Sequence, residues 1–184
     1  MPVAARTRYD TVALSLHWLI ATLLIFMLFF GDELMEAEDG GSTFGPSLHV
    51  SVGSAILLLS VFRLIWRLNN PPPVCPASMA PWERTASSVT HLLFYVLLIS
   101  IPLTGWFATP KFLSEEGVMA GLTVFGVFPL PGAPSLSLPM KGLHEIGSNL
   151  GIVLLALHVL AVLKHPFVNR DDVLRRMLPI GRSG

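Results

Sequence analysis

The sequence predicts an all-α integral membrane protein, a four-helix bundle, and two observations carry that reading: four long apolar stretches and a scarcity of charge. Of the 184 residues, 52% are hydrophobic and 13% charged, against roughly 25% charge in soluble domains. Crossing the hydrocarbon core takes about 20 apolar residues in a helix. Such stretches occupy residues 12–31, 49–68, 88–108 and 143–163, each edge uncertain by about two to four residues. In lipid every backbone polar group must be paired within its own segment, and the short alternating strands of a barrel are not the pattern here, so the spans are helices. Residues 1–184 read as a single domain, and a formal net charge of zero gives no reason to expect a nucleic-acid partner.

The first span follows Arg6 and Arg8. Its apolar core exceeds the roughly 7–15 residues of a secretory signal, and no small-x-small cleavage pattern follows, so it is expected to remain as a helix. The connection after it is acidic, with Asp32, Glu33, Glu36, Glu38 and Asp39. The second span ends on Arg63 and Arg67, and Pro71, Pro72, Pro73, Pro76 and Pro81 then force an extended link. Cys75 lies in that link and carries no assigned role. Pro102 predicts a kink in the third span. The connection 110–142 is long, rich in Gly and Pro and partly apolar; it is expected on the outer membrane surface, and 118–128 is a candidate short interfacial helix.

Charge placement orients the bundle. Every Lys and Arg except Lys111 and Lys141 lies at the N-terminus, around the second connection or in the C-terminal tail, so the positive-inside rule puts both termini in the cytoplasm. Multi-pass insertion in a bacterial inner membrane is the expected location. Trp18, Trp66, Trp82 and Trp106 fall near the expected interfaces, where indoles anchor.

Six histidines remain: His17, His49, His91, His144, His158 and His165. Ionisable side chains within a span are expensive and usually face the bundle interior, although a lone histidine can simply hydrogen-bond a neighbouring helix. His144 and His158 are 14 residues apart on the fourth span. That is close to four whole turns, which places both on one face and roughly 21 Å apart in depth. Antiparallel topology then sets His17 level with His158 and His49 level with His144. Each pair can clamp an iron axially, and bis-histidine ligation leaves no open position, as electron transfer requires. A structural zinc site would need four ligands at one level.

Other residues carry two readings each. Gly147 and Gly151 either leave room for a flat macrocycle or form a G-x-x-x-G helix contact that hints at self-association, and Gly53 shares that ambiguity. Arg63 and Arg67 either snorkel or hold haem propionates. His91 is an alternative ligand, a neighbour of the ligands or a quinone-site candidate. His165 is ordinarily a solvated residue; the sharper reading makes it a proton donor at a quinone pocket.

The run S-L-H-W in the first span, L-H-V-S-V-G in the second, T-H-L-L-F-Y in the third and H-E-I-G-S-N-L-G with a later L-H in the fourth resembles the bacterial cytochrome b561 family. The resemblance spans nearly the whole chain. It implies a di-haem b-type cytochrome with His17 and His158 on the inner haem b and His49 and His144 on the outer one. It further implies superoxide oxidase activity, with superoxide or another periplasmic donor passing electrons to ubiquinone, and it puts His165 near the quinone. Lys111 and Lys141 would steer an anionic donor against the opposing acids of the first connection. A second function class is a haem-bearing membrane subunit that passes electrons between a partner dehydrogenase or hydrogenase and the quinone pool. A third is a haem-free scaffold or transporter.

Overall fold

A computed structural model describes residues 8–36, 42–75, 79–115 and 121–177, with backbone alone at 110–115. Arg6, Glu38, Asp39, Pro76, Arg182 and residues 118–120 lie outside the described residues, as does the side chain of Lys111.

Four helices form, each long and apolar enough to cross a membrane: α1 (Thr11–Glu36), α2 (Phe44–Asn69), α3 (Pro81–Glu115) and α4 (Met140–Lys164). All outrun the apolar stretches that predict them. Hydropathy reads the hydrocarbon core, whereas backbone hydrogen bonding carries a helix on through polar residues at its ends; α1 thus includes Asp32, Glu33 and Glu36. The start of α1 is fixed by the Asp10 carboxylate, which accepts the backbone N–H of Ala13 at 2.8 Å. At α2 the proline run follows the helix within two residues. Pro102 leaves α3 continuous.

α1 packs along α2 and α3 along α4, α2 and α3 join the two pairs, and α1 meets α4 more sparsely. The apolar centre is small: Ile20, Ile56 and Leu98, with Leu23, Leu24, Met27, Val52, Leu59 and Phe94 around them. Large apolar side chains such as Phe29, Leu58, Leu92 and Leu160 point outward. That inverts a soluble protein and suits a bundle whose outer solvent is hydrocarbon.

The connection 110–142 departs from the expected picture. Thr123–Val124 (β1) and Phe128–Pro129 (β2) pair antiparallel, so the described part of the candidate helix over 118–128 is a hairpin instead. Its turn demands left-handed backbone at Phe125 (φ 56°) and Gly126 (φ 68°), which a helix cannot accommodate. Ser47 and Ser51 of α2 pin it: the Ser51 hydroxyl accepts the Phe125 N–H at 2.8 Å, and the Ser47 hydroxyl accepts the Thr123 N–H at 3.2 Å.

The opposite end of the bundle, which carries the start of α1 and the end of α4, is strapped by the C-terminal segment. After α4 the chain makes a π-helical turn (His165–Asn169) and a 3-10 turn (Leu174–Met177). The Met177 carbonyl accepts the Trp18 indole N–H at 2.7 Å, and Arg176 donates to the Val74 carbonyl at 3.0 Å. Glu83 of α3 binds both Lys164 and Asn169. The other tryptophans serve the same ends: Trp66 donates to Asp10, Trp106 to the Pro131 carbonyl, and Lys164 lies over Trp82.

Candidate functional site

At the hairpin end, His49 of α2 and His144 of α4 face each other with ring centroids 6.0 Å apart. Each ring is oriented by a carbonyl on another helix. His49 Nδ1–H donates to Gly31 of α1 at 2.9 Å, and His144 Nδ1–H donates to Ile101 of α3 at 2.8 Å. A carbonyl only accepts, so the proton sits on Nδ1 and Nε2 keeps its lone pair, the tautomer of a metal-ligating histidine.

At the strapped end, His17 of α1 and His158 of α4 have centroids 6.5 Å apart. Phe94 packs edge-on against His158 at 5.3 Å. His91 of α3 joins this level at 5.7 Å from His158, and its Nδ1–H donates to the Ser87 carbonyl one turn back, at 2.6 Å. His91 thus neighbours the pair with its own Nε2 available.

The arrangement is commensurate with one iron per pair. Metal–imidazole bonds of about 2 Å on both sides, plus about 1.1 Å from each nitrogen to its ring centre, put two axial imidazoles about 6 Å apart between centroids. The His49–His144 and His17–His158 pairs come near this spacing, and so does His91 with His158. Two buried hydroxyls, Ser60 Oγ and Tyr95 Oη, have no hydrogen-bond partner among the described residues. Leaving such a group unpaired costs about 1–3 kcal/mol, so each is suited to a polar group that the protein itself does not supply. Both lie toward the strapped end, Ser60 one turn before Arg63 and Tyr95 one turn after His91.

Arg63 and Arg67 line a shallow, solvent-open cleft at the strapped end with Arg8, Tyr9, Trp66, Tyr95 and the prolines of the second connection. Burial pushes the Tyr9 phenol above its usual range, and Arg67 opposes that rise.

Three sequence readings with open alternatives meet the structure here. A methyl group at Gly147 would sit 2.9 Å from Ile101, and one at Gly151 would sit 3.4 Å from Leu28, so these glycines admit neighbouring helices of the same chain. This is the helix-contact reading of the pair, made within one chain. Gly53 does face open space, with no atom within 4 Å of a built methyl. His165 is not solvated: it is buried, and its Nδ1 pairs with the Asp171 carboxylate at 2.8 Å because the π-helical turn folds the tail back.

Sequence reasoning missed Gly105, Gly31, Asp171 and Tyr95. A methyl group at Gly105 would come within 3.0 Å of two atoms of the His144 ring, and one at Gly31 within 3.4 Å of His49. Each glycine lets an imidazole approach a neighbouring helix backbone. Their signal was depth: each sits on another helix at the level of the histidine it accommodates. Asp171, six residues after His165, had no periodic signal because the intervening backbone is π-helical and left-handed at Arg170.

The fold and the site together define a class: a multi-pass helical membrane protein with facing imidazole pairs near both ends of its bundle. The family model for prokaryotic cytochrome b561 matches residues 8–179. The chain belongs to that family, and is therefore a membrane cytochrome carrying b-type haem. It is 31% identical over 177 residues to "Cytochrome b561 homolog 2" of Escherichia coli (strain K12), covering 93% of this chain and 91% of that protein. It is 27% identical to "Cytochrome b561 homolog 1" of the same organism, over 94% of this chain and 97% of that protein. It is also 27% identical to "Probable superoxide oxidase CybB" of Yersinia pestis, over 96% of this chain and 98% of that protein.

Proposed function

We propose that the chain is a di-haem cytochrome that carries electrons from superoxide or another periplasmic donor to ubiquinone, with both termini in the cytoplasm of a bacterial cell. The observation that carries this reading is the pair of facing imidazole couples at opposite ends of one bundle, with centroids 6.5 and 6.0 Å apart. His17 and His158 would hold one haem b, and His49 and His144 the other. When bound, haem b supplies the one-electron chemistry. The protein's contribution is orientation and exclusion. Gly31 and Ile101 carbonyls hold His49 and His144 in the ligating tautomer, and the apolar centre separates the two levels.

The superoxide reading draws on the name of the Yersinia pestis relative. Its overall balance converts two superoxide ions to two dioxygen molecules while ubiquinone takes up two electrons and two protons. Lys141 is exposed at the start of α4, at the hairpin end where the donor would arrive. At the other end, the Nδ1–H of His165 donates to Asp171, so Nε2 would take up a proton from water, the Asp171 carboxylate balancing the charge, and pass it to the reduced quinone. Arg63 and Arg67 would face haem propionates in the cleft they line, and His91 would border the same level.

The test is the purified protein alone. Two b-type haems per chain and superoxide-driven reduction of added ubiquinone are expected. A protein with no reducible b-type absorption refutes the haem assignment. A haem-replete protein that reduces quinone only beside a separate dehydrogenase transfers the donor role to that partner.

A further inference from the structure

Resting on the assignment of one haem to His17 and His158, we propose that Tyr95 is a positioning residue for it, its hydroxyl donating to a haem propionate that Arg63 and Arg67 also hold. The carboxylate is the kind of acceptor this corner calls for. Tyr95 Oη is buried, and no described residue accepts its hydrogen bond. Tyr95 also lines the cleft that Arg63 and Arg67 share. Neither Arg63 nor Arg67 belongs to the Lys164–Glu83, His165–Asp171 or Arg175–Asp172 pair. The one carboxylate lining the cleft, Asp10, is engaged: it accepts the Trp66 indole N–H and the Ala13 N–H.

Placement ties this corner to the strapped-end imidazoles. Tyr95 lies one turn after His91 on α3, and the His91 ring is 5.7 Å from that of His158. Arg63 lies on α2, one turn after Ser60, whose buried hydroxyl also lacks a partner among the described residues. One phenol and two guanidiniums thus converge on a cleft beside the haem level, from two different helices. Arginine binds a carboxylate through a planar fork, and a phenol adds a single directed donor. The phosphate of an anionic lipid shares this acceptor chemistry, but a group seated next to the imidazole pair can come from the haem itself.

The holoprotein and its Tyr95→Phe variant decide the matter through haem content, the resonance Raman bands of propionate bending, and the midpoint potentials of both haems. Tyr95→Phe should keep two haems and move the propionate bands and the potential of one of them. His17→Ala should remove that haem. The potential of the haem held by His49 and His144 should stay in place, which a general loosening of the bundle would not allow. Arg63→Lys keeps the charge but loses the fork, and should move the same haem's propionate bands.

Unchanged propionate bands and potentials in a haem-replete Tyr95→Phe variant overturn the proposal, and they are also the result expected if a lipid phosphate fills the cleft. A shift carried by the other haem overturns it too. If Tyr95→Phe loses the haem outright, unmoved bands in Arg63→Lys overturn it and moved ones sustain it. Absence of haem from the wild-type protein is the separate failure of the cytochrome assignment, visible before any variant is made.

Discussion

His49 and His144 face each other at 6.0 Å between ring centroids, each donating Nδ1–H to the backbone of a helix that carries neither ring. All four helices therefore meet at this pair: α2 and α4 bring the imidazoles, and α1 and α3 bring the carbonyls. On the proposed di-haem ligation, removing either ring leaves the other oriented but without its opposite ligand. His49→Ala and His144→Ala should each lower haem content from two per chain to one, with the surviving spectrum that of the His17 and His158 level. Haem quantitation on the purified variants checks this; equal loss of both haems would contradict the separation into two levels.

Gly105 tests how closely α3 must approach. Alanine there meets the His144 ring at 3.0 Å, and the ring is held by the Ile101 carbonyl, so it cannot yield without breaking that bond. Gly105→Ala should weaken retention of the hairpin-end haem by about 10- to 100-fold, the usual effect of disturbing the partner of a metal ligand. Gly147→Ala meets Ile101 at 2.9 Å instead, and should cost about 1–3 kcal/mol of bundle stability with both haem spectra retained. Thermal unfolding of the holoproteins followed in the Soret band separates the two effects.

Asp171 and His165 should act as a unit. Replacing Asp171 by Asn removes the carboxylate that holds the His165 Nδ1 proton, at 2.8 Å. Quinone reduction should fall on the order of 100-fold in His165→Ala and by less in Asp171→Asn, with haem content unchanged in both. Steady-state quinone reduction beside a haem assay measures this. Full activity in His165→Ala would remove it from proton delivery.

Tyr9 supplies a pH signature outside the spans. Burial raises its phenol pKa, so the folded state holds the proton more tightly than the unfolded chain does. The contribution is therefore fully present below about pH 10, the unfolded phenol value, and is lost as pH rises through the higher folded value. Tyr9→Phe should flatten the alkaline part of the stability profile. The measurement is thermal stability from neutral pH into the alkaline range, and identical profiles for both proteins would contradict the burial.

Of the two hydroxyls that pin the hairpin, that of Ser51 holds its turn. Ser51 Oγ accepts the Phe125 N–H at 2.8 Å where the turn holds φ at 56°. Ser51→Ala should speed amide exchange through residues 123–129, reflecting a local loss of about 1–3 kcal/mol, while haem content stays the same. Hydrogen exchange on the solubilised protein reads this directly.

Hydropathy and helical periodicity alone determined the four spans, their antiparallel order and the two depths at which histidines recur, because lipid leaves the backbone few alternatives and a helix converts residue spacing directly into depth. The pairing of His144 with His158 on one face needed nothing beyond the repeat of 3.6 residues per turn. Only the tertiary structure could decide which face of each helix meets which neighbour. That rotation about the axis set Gly147 and Gly151 against Ile101 and Leu28, placed Gly105 under the His144 ring, and brought the Tyr95 hydroxyl beside two arginines. Short irregular backbone was likewise settled only in three dimensions. The left-handed turn at Phe125 and the π-helical turn after Lys164 arise from contacts to Ser51 and Asp171, which no local periodicity encodes.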